Sequence, residues 1–302
     1  MSCPTRLFYA AAILSSSCVH AQIPPVPEPD LANLAYGVHA RQVLDFYRAK
    51  SDEATPLLFF VHGGGWMTGD KANPDFLAKC LESGISVVSI NYRLIADAQA
   101  EGIFPPVKAC LDDAARALQF VRSRSAEWRI DKNRIASCGG SAGGFSALWL
   151  AFHPDLADPN SADPVSREST RLTCALAFVP QTTLDPEQMM KWIPNNEYGN
   201  HAFGLPDMKT FVEQRDSLLP WIERFSPYAL ASGDDPPVLL FYDNPPNPGQ
   251  PYKDPPHSAN FGAGLAEKLK AVGIEHEINF NNDYPNMKYP DLFGFLISKL
   301  KE

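Results

Sequence analysis

The sequence predicts an α/β fold with a mostly parallel, doubly wound sheet covered by helices on both faces. From residue 36 onward, short apolar runs alternate with segments of helical period. The apolar runs are nearly continuous, as expected for strands that are buried on both faces. A chain of 302 residues, of which 45% are hydrophobic, is long enough to bury such a core without disulfide or metal staples.

Each element follows from its own local pattern. Apolar runs predict seven strands, at residues 42–47, 57–61, 86–91, 134–138, 174–179, 238–242 and 276–280. Helical spacing of apolar residues predicts five helices, at residues 74–83, 107–128, 142–152, 260–272 and 290–301. Gly273 directly follows one of them and is typical of a helix C-cap.

One segment interrupts the alternation. Residues 181–225 contain Met, Trp, Pro and Asn without a strand period, which predicts an insertion of short helices and loops above the sheet, called the cap below. Trp192 and Trp221 either cover the mouth of a pocket there or form the core of the cap. Residues 22–302 are expected to form one domain that includes this cap.

The first 21 residues predict an export signal. Arg6 precedes an apolar run at residues 7–19, and Val19 and Ala21 are the small residues that a signal peptidase accepts. The run is shorter than the ~20 residues that span a bilayer, and no later segment reaches that length. We expect an exported protein, periplasmic or secreted, without a membrane span.

Charge and cysteine content limit the partners. The formal net charge is −9 without a cluster of Lys or Arg, which argues against nucleic acid and favours a small molecule or a neutral polymer.

Four cysteines follow the signal segment, none in a ligand spacing, and are expected to be buried free thiols: Cys80, Cys110, Cys138 and Cys174. The Asp-rich stretch at residues 155–163 lacks the Gly and Glu of a calcium loop and predicts turns, so no metal site is predicted.

A Gly-x-Ser-x-Gly motif at residues 139–143 is the strongest functional signal. It lies between the predicted strand 134–138 and the predicted helix 142–152, so a sharp turn should hold Ser141 at the helix N-terminus. The positions on either side that would crowd this turn are glycines, Gly139 and Gly143, which have no side chains. Ser141 is therefore the candidate nucleophile, next to N–H groups that favour an oxyanion.

A second motif, His62 to Trp66, follows the strand 57–61 and contains three consecutive glycines. Glycines allow a backbone to approach a substrate closely and to present N–H donors to a developing oxyanion. We predict that the oxyanion hole consists of the amides of Gly64, Gly65 and Ala142. His62 is expected to brace this loop by hydrogen bonding, with a role as catalytic base as the alternative.

These motifs resemble the α/β-hydrolase superfamily, among the HGGGW-type esterases related to hormone-sensitive-lipase-like and bacterial feruloyl and acetyl-xylan esterases. The resemblance implies about eight strands, no cofactor, and hydrolysis of carboxylic esters with Ser141 as nucleophile. It extends over nearly the whole chain after residue 21 and rests on residues 44–47, 62–66 with Gly69, 91–93, 112–115, 134–135, 139–144, 226–227 and 234–240.

The chain departs from this family at the catalytic base. No histidine follows His276, so the usual position after the last strand is empty. A serine hydroxyl without a base is a weak nucleophile. Because triads are defined by geometry and not by chain order, His257 is the favoured substitute, with Asp254 or Asp243 as its orienting carboxylate.

Other histidines are weaker candidates for this base. His201 belongs to the cap and is the second choice, whereas His153 and His276 are predicted to lie too far from Ser141. It also remains open that none of these residues acts as a base.

Two functions are therefore compatible with the sequence. The first is a serine carboxylic-ester hydrolase acting on a short acyl or aromatic ester, in a small molecule or a polysaccharide. The second is a catalytically impaired homologue that binds a carbohydrate or an acyl compound. The polar side chains around the Ser141 oxygen distinguish the two functions.

Overall fold

The computed structural model describes residues 27–280, 288–289 and 291–301. The predicted export signal, residues 1–21, lies outside these residues. Eight strands form one sheet in the order β1-β2-β4-β3-β5-β6-β7-β8. Their bounds are β1 Leu31–Ala35, β2 Val43–Tyr47, β3 Thr55–Val61, β4 Ser86–Ile90, β5 Ile130–Gly140, β6 Cys174–Phe178, β7 Val238–Tyr242 and β8 His276–Phe280.

The sheet is parallel except around β2, which runs antiparallel to both β1 and β4. In the central pairs, Val61 of β3 lies opposite Ile90 of β4 and Gly139 of β5. Because these strands run in the same direction, their carboxyl ends meet at one edge of the sheet, where sites of such folds form. The predicted α/β class with a mostly parallel sheet is confirmed.

Helices cover both faces of this sheet. The ten α-helices of the described residues are α1 Leu77–Glu82, α2 Ile95–Ala100, α3 Val107–Ser123, α4 Ser125–Trp128, α5 Ala142–Phe152, α6 Pro186–Trp192, α7 Met208–Phe225, α8 Pro227–Leu230, α9 Asn260–Val272 and α10 Leu292–Leu300. None of the described helices is both long and apolar enough to cross a membrane.

The core consists of two apolar layers, one on each face of the sheet. All of β3 is buried, and its residues alternate between the layers as the strand period requires. Leu57, Phe59 and Val61 join the larger layer, which includes the apolar faces of α3, α5 and α7. Leu58 and Phe60 join the smaller layer, which includes residues of α1 and α10.

The structure differs from the predicted elements in several places. Strand β1 and helix α2 were not predicted; β1 is an edge strand whose side chains are mostly exposed, so no apolar pattern marks it. The predicted helix 107–128 is divided at Arg124, between α3 and α4. The prediction of short cap helices is wrong for α7, an 18-residue helix. Its N-cap is Asp207, whose side chain accepts a hydrogen bond from the Thr210 N–H.

The tryptophans of the cap take part in packing. The ring of Trp192 makes edge-to-face contacts with Tyr228 and Phe261, and the ring of Trp221 stacks on Phe225. These contacts support a role in packing for both residues.

The cysteines and the Asp-rich stretch match their structural predictions. Cys80, Cys110, Cys138 and Cys174 are free and buried. Asp155 accepts hydrogen bonds from the Ala157 and Thr170 amides, and Asp158 accepts one from the Asn160 amide. These carboxylates therefore stabilise turns.

Helix α5 crosses the end of β3 at very short range. A Cβ added at Gly143 would lie 2.1 Å from the Val61 carbonyl oxygen, and one at Gly139 would lie 2.5 Å from that same oxygen. This oxygen is a backbone atom, which cannot rotate away as a side-chain atom does. The two glycines of the Ser141 motif are thus required for this helix–strand packing.

We predict that Gly143→Ala lowers the free energy of unfolding by at least about 2 kcal/mol, because the new methyl group must displace the end of β3. Gly140→Ala is the matched control, since its Cβ would meet nothing closer than 4.0 Å. It should change stability by about 0.5 kcal/mol or less. Urea unfolding of both variants measures the difference, and equal losses would contradict the packing argument.

Candidate active site

Ser141 occupies the turn between β5 and α5. Its backbone has φ 52° and ψ −122°, a combination that a residue with a side chain rarely adopts. The turn is held by the Ser141 N–H, which donates to the Phe178 carbonyl at 2.8 Å, and by the Phe145 N–H, which donates to the Ser141 carbonyl at 2.9 Å. Ser141 remains partly exposed at the carboxyl edge of the sheet.

His257 lies directly beside this serine. Its Nε2 is 2.9 Å from the Ser141 Oγ, and its Nδ1 is 2.7 Å from Oδ2 of Asp254. Because an ionised carboxylate only accepts hydrogen bonds, Nδ1 carries the proton of the neutral ring and Nε2 is the acceptor for the serine hydroxyl. The structure thus brings together a serine, a histidine and an aspartate in the order required for nucleophile activation.

The local sequence explains why Asp254 and His257 meet. Residues Pro255–His257 form a 3-10 turn, in which the His257 N–H donates to the Asp254 carbonyl at 3.0 Å. A 3-10 turn has three residues per turn, so side chains three positions apart lie on the same side. Pro255 and Pro256 restrict φ and so favour this conformation.

The other residues proposed from the sequence lie elsewhere. Asp243 is exposed and, within the described structure, forms no hydrogen bond with His257, so Asp254 is the carboxylate of the two that contacts the imidazole. The ring nitrogens of His201, His153 and His276 contact backbone carbonyls instead of Ser141, those of Gly65, Pro154 and Ile274 respectively.

The glycine loop of residues 62–66 packs against the serine turn. A Cβ added at Gly63 would lie 2.7 Å from the Gly140 carbonyl oxygen and 3.6 Å from the Ser141 Cβ. Gly64 and Gly65 have φ of 99° and 64°, which places them in the region that favours glycine. Among the described residues, neither of their N–H groups donates a hydrogen bond, and the N–H of Ala142, the first residue of α5, has no acceptor within its helix.

Aromatic residues brace this loop from both sides. The buried His62 donates from Nδ1 to the Gly63 carbonyl at 2.8 Å and stacks on Tyr92, whose hydroxyl donates to the His62 carbonyl at 2.8 Å. On the cap side, His201 Nε2 is 3.1 Å from the Gly65 carbonyl oxygen. The contacts of His62 support the bracing role predicted for it.

Tyr198 is a further contact that sequence reasoning missed. A Cβ at Gly65 would lie 2.2 Å from the Tyr198 hydroxyl, so the glycine leaves room for that ring. The ring also packs edge-on against His201. No local pattern around residue 198 indicates this contact, because its partner lies far away in the sequence.

Nothing in the described ranges clusters three or more His, Cys, Asp or Glu side chains in a way that could hold a metal ion.

The strand order, the antiparallel second strand and the serine turn after β5 are those of an α/β-hydrolase. Solved structures agree: the acetyl ester-xyloside bifunctional hydrolase from Caldicellulosiruptor lactoaceticus superposes with a TM-score of 0.62 at 23% identity, over 85% of this chain and 87% of that one. The BD-FAE family model matches residues 44–245. The chain therefore belongs to the BD-FAE family.

Curated relatives are carboxylic ester hydrolases. The carboxylic ester hydrolase LipN of Mycobacterium tuberculosis is 38% identical over 101 residues, which is 32% of this chain and 25% of that protein. The versiconal hemiacetal acetate esterase of Dothistroma septosporum is 28% identical over 229 residues, which is 74% of this chain and 60% of that protein. The chain thus matches between a quarter and three fifths of the length of these two relatives.

The buried His62 and the half-buried His201 predict how stability depends on pH. Burial lowers the pKa of His62 and of His201 below the usual 6.5. At mildly acidic pH the unfolded chain therefore binds more protons than the folded one. The stability contributed by these histidines is fully present above pH 6.5, and it is lost as the pH falls from 6.5 toward their lower pKa in the folded protein. Burial lowers the pKa of His153 in the same direction.

We expect His201→Gln to lose less stability than the wild type between about pH 7 and pH 5, because glutamine has an N–H for the Gly65 carbonyl but takes up no proton. Urea unfolding of both proteins across this range measures the effect. Equal losses in both proteins would show that the protonation of His201 is not coupled to folding.

Proposed function

We propose that this protein is a serine carboxylic-ester hydrolase that uses Ser141 as nucleophile, His257 as general base and Asp254 as orienting acid. The observation that carries the proposal is the 2.9 Å contact between the Ser141 hydroxyl and the imidazole Nε2 of His257. It supplies the base whose usual position is empty in the sequence. The carboxylic ester hydrolases among the curated relatives support the same reaction class.

These contacts support the following role for each residue. Ser141 Oγ forms a bond to the ester carbonyl carbon while its proton moves to Nε2 of His257, and the carbonyl electron pair moves onto oxygen. Collapse of this intermediate breaks the bond to the alcohol, which leaves with the proton from His257. Water then attacks the acyl-serine in the same way, with His257 again accepting and returning the proton, and releases the acid.

The amides of Gly64, Gly65 and Ala142 are the proposed oxyanion hole. Removal of one such donor typically costs about 3 to 4 kcal/mol of transition-state stabilisation. The fixed positive φ of both glycines and the braces at His62 and His201 support this role, since pre-oriented donors need no reorganisation during the reaction. Asp254 accepts a hydrogen bond from the Nδ1–H of His257 and so keeps Nε2 unprotonated and free to accept the serine proton.

For the substrate we propose an ester with a short acyl or aromatic group, in a small molecule or a polysaccharide. Two similarities support an acetyl group: one relative is named as an acetate esterase, and one structural neighbour as an acetyl ester-xyloside hydrolase. The net charge of −9 favours a neutral substrate over an acidic one. We further propose export, periplasmic or secreted, on the sequence of residues 1–21.

The alternative of an impaired homologue, which only binds a carbohydrate or an acyl compound, depended on the absence of a base. His257 lies within hydrogen-bond distance of Ser141 and is oriented by Asp254. This contact favours the hydrolase over the binding protein.

We predict that Ser141→Ala abolishes hydrolysis of an aryl acetate and labelling by a fluorophosphonate, because both require the serine oxygen. His257→Gln should lower kcat by about 10⁴-fold through loss of the base. His153→Gln is the matched control, a histidine at the end of α5 whose Nδ1 contacts the Pro154 carbonyl. Steady-state kinetics test the assignment, and unchanged turnover in Ser141→Ala would refute it.

A second pair of variants tests the orienting acid. Asp254→Asn should lower kcat by about 10²-fold, less than the ~10⁴-fold typical of a buried triad acid, because the Asp254 side chain is 59% exposed and solvent screens its charge. Asp243→Asn should change kcat far less, since its carboxylate forms no hydrogen bond with His257 in the described structure. A larger effect at Asp243 than at Asp254 would reverse the assignment.

A further inference from the structure

The segment that carries the proposed base needs an external support. Residues 243–257, called the base loop, connect β7 to the residues just before α9 and are mostly exposed. Two backbone hydrogen bonds lie within the loop: the Gln250 N–H donates to Asn247, and the His257 N–H donates to Asp254. A loop of this length and exposure does not by itself fix an imidazole to within a few tenths of an ångström.

Asn260, the first residue of α9, supplies such a support. Its Nδ2 donates to the Trp192 carbonyl at 2.8 Å and to the Asn247 carbonyl at 3.1 Å, and its Oδ1 accepts from the Asn247 N–H at 2.7 Å. The residue is 2% exposed. Both amide protons and the amide oxygen are therefore satisfied in a buried position, where each bond is costly to lose.

Trp192, whose carbonyl accepts a hydrogen bond from Asn260, is itself held in place. Trp192 is the last residue of α6 in the cap, and its carbonyl accepts a second hydrogen bond from the Gly249 N–H of the base loop at 2.9 Å. Its ring lies against α9, where a Cβ at Gly264 would come within 2.3 Å of it. Asn260 thus links three elements at one point: the cap, the base loop and α9.

Asn260 is also close to His257 along the chain. The buried Ser258 connects them, because its Oγ accepts a hydrogen bond from the Asn260 N–H at 3.2 Å and its carbonyl accepts one from the Phe261 N–H at 3.2 Å. Ser258 thus links Asn260 to the 3-10 turn of Asp254 and His257, since its own N–H donates to the Pro255 carbonyl at 3.2 Å. On the cap side, Asn195 forms reciprocal hydrogen bonds of 2.9 Å with the backbone of Tyr252.

We propose that Asn260 is a positioning residue for His257: by clamping the base loop to the end of α6, it holds the imidazole at hydrogen-bond distance from Ser141. This role rests on the proposed function, in which His257 is the base. It assigns to the cap a part in catalysis, namely fixing the base. A displacement of about 1 Å of a catalytic group costs about 10²-fold in rate.

The test uses two variants of the full chain, Asn260→Leu and Asn260→Asp. Asn260→Leu removes all three side-chain hydrogen bonds at similar volume, and Asn260→Asp retains only the acceptor for the Asn247 N–H. We expect kcat for an aryl acetate and the rate of fluorophosphonate labelling to fall by about 10- to 100-fold in Asn260→Leu. Both should fall in Asn260→Asp as well, because its second carboxylate oxygen would face the carbonyl oxygens of Trp192 and Asn247. KM should stay within about 2-fold, since substrate contacts are unchanged.

Gln119 of α3 provides the matched control. It is a buried amide that clamps a different loop, with Nε2 donating to the carbonyls of Leu156, Ser166 and Glu168. Gln119→Met removes these hydrogen bonds, none of which involves Ser141 or the base loop. It should lower the midpoint of thermal unfolding without changing kcat at temperatures where the protein is folded. If both variants lose stability and only Asn260→Leu loses kcat, a purely structural role for Asn260 is excluded.

A double-mutant cycle separates this inference from the proposed function. If Asn260 acts through His257, Asn260→Leu should cause no further loss of kcat in a His257→Gln background. Additive losses, or full kcat in folded Asn260→Leu, would overturn the positioning role while leaving the base assignment in place. If Asn260→Leu does not fold, the same cycle with Asn260→Asp decides the question. Unchanged kcat in His257→Gln alone would refute the proposed function instead.

Discussion

The site depends on one close contact between backbones, the crossing of α5 over the end of β3. The glycines at 139 and 143 allow this contact, and both face the Val61 carbonyl oxygen. The same contact sets the position of Ser141 at the start of α5 and of the glycine loop directly after β3. Because one packing arrangement positions both the proposed nucleophile and the amides proposed to hold the oxyanion, their mutual distance is a property of the core and not of flexible side chains.

The proposed base is positioned in a different way. Ser141 is fixed by the sheet, whereas His257 reaches it from an exposed segment whose geometry comes from two prolines and from contacts with the cap. Polar side chains, above all Asn260, replace the apolar packing that fixes the rest of the site. Hydrogen-bonded amides are directional, so a few of them fix a loop that has little apolar surface to bury.

The sequence predicted those features whose determinants are local. The serine turn was recognisable because its glycines, its strand and its helix are adjacent in the chain, and His257 was a candidate because its segment follows the predicted strand 238–242, at the edge of the sheet where sites form. The choice between Asp254 and Asp243 could not be made, since it depends on where the loop docks. The role of Asn260 was not visible either, because its partner Trp192 is 68 positions away. Strand β1 was missed for a similar reason: it is defined by its pairing with β2 and not by its own exposed sequence.

The proximity of Asp254 and His257 has an evolutionary consequence. In this chain the proposed acid and base are encoded by one stretch of four codons, Asp-Pro-Pro-His, within a single surface segment. An acid–base pair that is so compact in the gene can be acquired, relocated or deleted in one genetic event, without coordinated changes at two distant sites.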